Sequence, residues 1–266
     1  MKSGQNRYMS EIKVISSNIR FDNPKDGQHI WQNRIEILSS IINRKKPDYL
    51  GTQEGWRKQL YQFYTKLENL VMVDDHRSWI EDRMYPTIFF NPDTFEKIKS
   101  GDIWLSETPN VPASKSFDSA FPRLCTWAKV KHKKSGEYFL LVNVHLDHLE
   151  TKTRQSQIKV LIEEISKVHN DNEKVIIIGD FNEGPREEVR KIIDQSKFNL
   201  KDPWLELKQP EESSHHKFTG INPNGTRIDW ILRPTCLECI EINLIKDHEN
   251  NIYPSDHFPV EALFRL

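Results

Sequence analysis

Residues 125–148 read CTWAKVKHKKSGEYFLLVNVHLDH, and the way this stretch folds decides the architecture. Two runs rich in β-branched and aromatic residues, "CTWAKVKH" and "EYFLLVNVHL", are separated by Ser135-Gly136, which predicts an antiparallel hairpin. Immediately downstream, Ile158, Leu161, Ile162 and Ile165 recur at helical spacing within Thr151 to Val168, and a further buried strand follows in "KVIIIGDF". A hairpin interleaved with helices argues against a purely parallel, doubly wound sheet. It favours two packed sheets flanked by helices.

The rest of the chain fits that pattern. Strands are expected at "IKVISSNI", "DYLGTQ", "PTIFF", "RIDWIL", "CIEINLI" and "VEALFRL", and further helices at Trp31 to Arg44, Trp56 to Leu67 and Arg186 to Ile193. No internal repeat or low-complexity linker interrupts the 266 residues. One domain over residues 10–266, after an N-terminal tail of residues 1–9, is therefore expected.

Lys and Arg number 38 against 39 for Asp and Glu, a net charge of -1, so the chain lacks the overall positive field of a dedicated nucleic-acid binder. No run approaches the roughly 18 apolar residues of a membrane span, and "MKSGQNRYMSEIK" has no signal-peptide core. A soluble, cytoplasmic monomer is expected. Cys125, Cys236 and Cys239 are read as reduced packing residues, because the lone CxxC lacks the second pair or histidines that a zinc site needs.

Polar side chains stand where several strands end: Asn18, Glu54, His145, Asp180 with Asn182, Asp229, and Asp256 with His257. Any one of them is ordinarily a turn former or a satisfied structural histidine. Repetition at six strand ends calls for another reason. If "GDFN" stays extended, Asp180 and Asn182 project to one side and Phe181 to the other, and Asn143 shares a face with His145 by the same alternation. Converging carboxylates and amides without a thiolate suit Mg²⁺ or Mn²⁺, and several crowded carboxylates need a cation to offset their repulsion. A divalent metal beside an imidazole and an acid points to hydrolysis at phosphorus, with Asp229 the carboxylate best placed to fix a histidine tautomer.

Arg123, after Pro122, is a candidate phosphate fork, whereas Arg227 reads as a local ion pair with Asp229. His215 and Phe218, in the polar loop "HHKFTG", are further candidate substrate contacts, Phe218 as a stacking aromatic. Trp31 and Trp104 read as core. The basic runs "NRKKP" and "KVKHKK" carry no interleaved aromatics and read as solvated faces.

In this order, "SSNIRFD", "GTQEGW", "NVHLDH", "GDFN", "RIDWIL" and "SDHFPV" resemble the endonuclease/exonuclease/phosphatase superfamily of metal-dependent phosphoesterases. "DG" followed by "WQNR", with "IWLSETP" and "PRLCTWA", resembles a bacterial branch of metal-dependent hydrolases similar to deadenylase-like exonucleases. The resemblance implies a four-layer α/β/β/α sandwich of two mixed sheets flanked by helices, with the site at its mouth. It implies that Glu54 is the principal metal ligand, beside Asn18, with Asp256 completing or bridging the metal shell. Asp180 and Asn182 orient water and phosphate or hold a second metal, His257 polarised by Asp229 acts on the phosphoryl group, and His145 contacts a phosphate oxygen. One metal or two, and Asp180 or His257 as proton acceptor, stay open.

The expected activity is metal-dependent hydrolysis of a phosphodiester or phosphomonoester. The resemblance favours a 3′-5′ exonuclease-like nuclease, and the near-zero net charge fits a phosphatase or phosphodiesterase for a sugar phosphate, phosphoinositide or lipid headgroup. A non-catalytic binding module is disfavoured, since nothing would then maintain clustered carboxylates. Specificity is expected in the loops Asp22 to Gln28, Pro109 to Pro122 and Glu211 to Asn224.

Overall fold

Alternating burial is lost along the first strand, which is covered on both faces after its opening residues, as expected of a strand in the middle of a sandwich. This is β1 (Glu11–Asn18) in a computed structural model that describes residues 10–266; the expected tail lies outside the described residues. A short 3₁₀ segment (Pro24–His29) leads into α1 (Trp31–Lys45), followed by β2 (Tyr49–Gln53), α2 (Arg57–Tyr64), β3 (Val71–Met72), β4 (Thr87–Phe90) and β5 (Phe95–Trp104). The hairpin is β6 (Leu124–His132) and β7 (Tyr138–His145). Then come α3 (Thr151–Val168), β8 (Glu173–Asp180), α4 (Glu188–Asp194), β9 (Leu200–Lys201), α5 (Pro203–Glu206), β10 (Asp229–Pro234), β11 (Glu238–Leu244) and β12 (Val260–Arg265).

The strands form two mixed sheets, ordered β11-β12-β1-β2-β4-β3 and β5-β6-β7-β8-β10-β9. Among the described residues, parallel pairing is confined to β1/β2 and β7/β8; the other pairs are antiparallel. Ile12, Val14, Ile88 and Phe264 of one sheet meet Val130, Leu141, Ile176 and Ile231 of the other. On the outer faces, Leu38 and Ile42 of α1 and Leu60 and Phe63 of α2 cover the first sheet, and Ile158, Leu161 and Ile165 of α3 with Val189 of α4 cover the second. The order is helix, sheet, sheet, helix, as expected.

The hairpin turns at Ser135-Gly136, with Gly136 at φ 76°. A polar weld crosses the inter-sheet core. The Asn143 amide donates to Thr52 O at 2.9 Å and Thr87 O at 3.0 Å, and its Oδ1 accepts from Gln53 Nε2 at 2.7 Å. Asn143 therefore joins the sheets instead of facing the site with His145.

Three departures from the sequence reading concern particular residues. Strand β5 was foreseen only at its end, where Trp104 reads as part of an apolar strand; its residues from Glu96 to Asp102 alternate too weakly to signal a buried face, and it sits at a sheet edge. Arg227 pairs with Asp202 at 2.7 Å and with Glu211 at 3.5 Å, not with Asp229. Cys236 is exposed and so does no packing, while Cys125 and Cys239 are buried; all three are unpaired thiols.

Candidate active site

Strand register gathers the polar ends at one edge of the sandwich. Asp180 at the end of β8 lies opposite His145 of β7 on one side and Asp229 of β10 on the other. Gly179 makes this packing possible: its φ of 150° places a hypothetical Cβ only 2.0 Å from Val144 O. Across the gap, Asn18 ends β1 and Glu54 follows β2 in a left-handed conformation with φ 67°.

Asn18 joins the two sheets. Its Nδ2 donates to Glu54 Oε1 at 3.1 Å and to Asp180 Oδ2 at 2.9 Å, and its Oδ1 accepts from the Arg20 N–H at 3.0 Å. Glu54 Oε2 accepts from the Phe21 N–H at 3.1 Å. Asn18 thus orients two carboxylates. The "GDFN" backbone does not stay extended: Asn182 is left-handed with φ 51°, and its N–H donates to Asp180 Oδ1 at 2.9 Å. Its Nδ2 is committed to Leu146 O, while Phe181 faces away and stacks on Trp230 at 4.2 Å.

His257 Nδ1 lies 2.8 Å from Asp229 Oδ2, and both side chains are buried. Burial opposes a charge on His257, but Asp229, Asp180 and Asp256 outweigh it and hold the imidazole pKa well above the ordinary value. Burial, with the charge of Asp229, pushes the Asp180 carboxyl up to about 7. His145 goes the other way: burial, then the positive charge of Arg123, lowers its pKa well below the usual imidazole range. Asp256 faces Arg20 Nη1 at 3.7 Å and His215 Nε2 at 3.8 Å, and the His215 ring lies 4.6 Å from that of His257.

Arg123 is buried at the floor, with Nη1 3.0 Å from the His145 ring nitrogens and Nη2 3.3 Å from His148 Nδ1. These groups line a cleft of about 400 Å³ together with Arg20, Phe21, Trp56, Arg83, Met84 and Phe121. Phe218 is not part of that lining. It stacks on His29 at 4.4 Å, which fastens its loop to the 3₁₀ segment instead of presenting a free face.

The solved structures place this arrangement among relatives. An endonuclease/exonuclease/phosphatase family protein from Bacteroides thetaiotaomicron superposes with a TM-score of 0.85 at 26% identity, covering 97% of this chain and 98% of that one. The mannosyl-6-phosphatase of the same species gives 0.84 at 26% identity, covering 95% and 99%. Danio rerio TDP2, solved with a single-strand DNA product, gives 0.74 at 19% identity over 96% and 99%, a likeness of fold. The model of the Endonuclease/Exonuclease/phosphatase family matches residues 15–257. The chain belongs to the endonuclease/exonuclease/phosphatase family.

Metal-dependent chemistry in this family asks for a hard-oxygen site, and the residues fit one. Glu54, His145 and Asp180 offer ligand atoms that all lie within 4.8 Å of one another, as do Asp180, Asp229 and His257, and His215, Asp256 and His257. Asp229 Oδ1 is buried without a hydrogen-bond partner, and Asp180 is crowded enough to hold its proton near neutrality. A neighbouring divalent cation suits both: it would satisfy the Asp229 oxygen and offset the crowding at Asp180.

Sequence reasoning assigned no role to Arg20, Phe21, Asp147 or His148, although "SSNIRFD" and "NVHLDH" contain them. Asp147 accepts from Ser119 Oγ at 2.9 Å and from the Ala120 N–H at 2.8 Å, anchoring the 109–122 loop beside the cleft. The signal was present in those motifs. Only the fold separates residues that face the cleft from those that fasten its rim.

Proposed function

We propose that the protein is a Mg²⁺- or Mn²⁺-dependent phosphoester hydrolase acting on a small polar phosphate ester. The observation that carries this reading is the pairing of His257 Nδ1 with Asp229 Oδ2 at 2.8 Å in the cleft that also holds the Glu54–Asn18–Asp180 bridge. Glu54, with Asp256 opposite, would hold the cation, which would neutralise phosphoryl oxygens. Asp180, poised near neutral pH, takes the proton from the attacking water, because His257 is already protonated. The His257 imidazolium, its tautomer fixed by Asp229, donates through Nε2 to the oxygen on which charge builds. Asn182 and His145 hold water and phosphate in place, and burial, with the charge of Arg123, disfavours protonation of His145, so that it acts as a hydrogen-bonding group.

A small ester is favoured over a polynucleotide by where the basic runs fall. Arg123, just before β6, is at the cleft, so Lys131 to Lys134 lie at the far end of that strand, about 30 Å away. Lys45 and Lys46 close α1, whose first turn is at the site end, about 20 Å from it. Neither run forms a track leading to the cleft. The similarity to a mannosyl-6-phosphatase along nearly the whole length agrees with this. A cytosolic monomer completes the reading.

A nuclease is the second reading, favoured by the Phe21–Trp56 stack at the cleft wall, with ring centroids 5.7 Å apart, as a platform for a base. The test is hydrolysis of sugar phosphates, bis-p-nitrophenyl phosphate, single-stranded RNA and duplex DNA with Mg²⁺, Mn²⁺ or EDTA. Metal-dependent release of phosphate from sugar phosphates, lost in His257→Ala, is expected. Cleavage of nucleic acid alone would replace the first reading by the second, and no metal binding at all would end both.

A further inference from the structure

Arg20 occupies the cleft in a conformation that has to be held. Its backbone is left-handed, with φ 53°, a strained state for a side chain with a Cβ, and such strain persists where the surroundings enforce it. The enforcement comes from Arg34, wholly buried in α1, whose guanidinium donates to Ile19 O at 2.7 Å, Arg20 O at 3.1 Å, His29 O at 2.6 Å and Pro254 O at 2.9 Å. The Arg20 N–H is itself tied to Asn18 Oδ1.

The side chain is fixed as firmly, but on one flank only. Nε and Nη2 form a two-point pair with Asp26, at 3.0 Å each, and the guanidinium lies over the Phe21 ring, 4.5 Å from its centroid. Nη1 remains. It stands 3.7 Å from Asp256 Oδ2, beyond hydrogen-bond reach, at the edge where Glu54, Asp256 and His257 line the cleft. The other cleft arginines are engaged: Arg123 Nη1 and Nη2 face His145 and His148, and Arg83 Nη1 donates to Asp82 O. Arg20 Nη1 is thus preoriented by the contacts of Nε and Nη2 and, among the described residues, has no acceptor within hydrogen-bond distance.

A phosphomonoester differs from a diester at the reacting phosphorus by a second negative charge and one more unsubstituted oxygen. A fixed, charged donor in the cleft discriminates on that feature, since a hydrogen bond to a charged group is stronger than one to a neutral group. We infer that Arg20, braced by Asp26 and Arg34, reads the extra anionic oxygen of a terminal phosphate, so that the cleft selects phosphomonoesters over phosphodiesters. This rests on the phosphoester-hydrolase reading above.

The decisive experiment compares wild type, Arg20→Gln and Arg20→Lys on p-nitrophenyl phosphate and bis-p-nitrophenyl phosphate in Mg²⁺. Alongside, inorganic phosphate and dimethyl phosphate are titrated calorimetrically at pH 8, where the first is a dianion. Arg20→Gln is expected to lower the monoester-to-diester ratio of kcat/KM about 10- to 100-fold, the range of a charge-assisted hydrogen bond. It should erase the preference for phosphate over dimethyl phosphate, and Arg20→Lys should recover part of both, as a point charge without the fork. Equal losses on both esters, or a phosphate preference that survives in Arg20→Gln, would make Arg20 a fastener of the 3₁₀ segment and overturn the inference. Calorimetry requires no turnover, so an inactive wild type that still prefers phosphate would count against the hydrolase reading and for Arg20.

Discussion

At the residue scale, the reaction depends on which proton sits where. His257→Ala is expected to lower kcat by about 10²- to 10⁴-fold, the usual contribution of a positioned acid or base. Asp229→Asn makes a sharper test. In the proposed mechanism the imidazolium is the working form, and it is lost as pH rises through its pKa, which Asp229 raises. Removing that charge lowers the pKa, so the alkaline limb of the pH–rate profile must move to lower pH; an unmoved limb would mean that His257 is not the acid. Most of this set was legible in the sequence, because Asn18, Glu54, Asp180, Asp229 and His257 each break an apolar strand at its end. Arg20 was not legible, because its importance comes from a backbone strain and a buried arginine that no spacing rule reveals. Phe218 was misread because an exposed loop aromatic in the sequence is a fastener in the fold, stacked on His29.

At the element scale, the edge strand β5 shows what pattern reading misses. Its core-facing signal is weak, yet it is locked by Asp102, whose carboxylate pairs with Arg77 Nε at 2.8 Å and Nη2 at 2.9 Å and accepts from Thr126 Oγ1 at 2.7 Å. Burial alone would raise the Asp102 pKa, but Arg77, with His76, overrides it and holds it far below the usual carboxylate range. A depressed folded-state pKa contributes stability that is present above the unfolded value near 3.8 and is lost as pH falls below it. Asp102→Asn should cost about 3–5 kcal/mol at pH 7, because it leaves the buried Arg77 without its counter-charge. The gap to wild type in urea melts should close as the pH is lowered toward 2. A gap of constant size would show that the pair is not what holds the strand. The hairpin β6–β7 and helix α3 were legible from periodicity and turn chemistry, since their burial is one-sided or complete. An edge strand with intermediate burial offers neither signal.

At the scale of the whole molecule, the proposed metal site lies where Asn18 joins the two sheets, so ion binding should be coupled to folding. Mg²⁺ or Mn²⁺ at 100 times its Kd should stabilise wild type by about 2.7 kcal/mol, read as a rise in Tm. Glu54→Gln should abolish most of that rise, and an unchanged rise would place the ion elsewhere. The four layers followed from the mixture of hairpin and strand–helix–strand passages, but the sheet order did not. Which strands become neighbours is settled by long-range pairing such as β1 with β12, joined from opposite ends of the chain.

The Asn143 weld sets the spacing of the two halves of the site from beneath, and the space around it is full. A Cβ added at Gly51 would come within 2.5 Å of Ile178 Cδ1 and 2.9 Å of Asn143 Cγ. Gly51→Ala would therefore act as a shim, prying the sheets apart where no substrate reaches. Catalysis should then fall while the cleft side chains stay chemically intact, which makes turnover in this protein a gauge of the thickness of its sandwich.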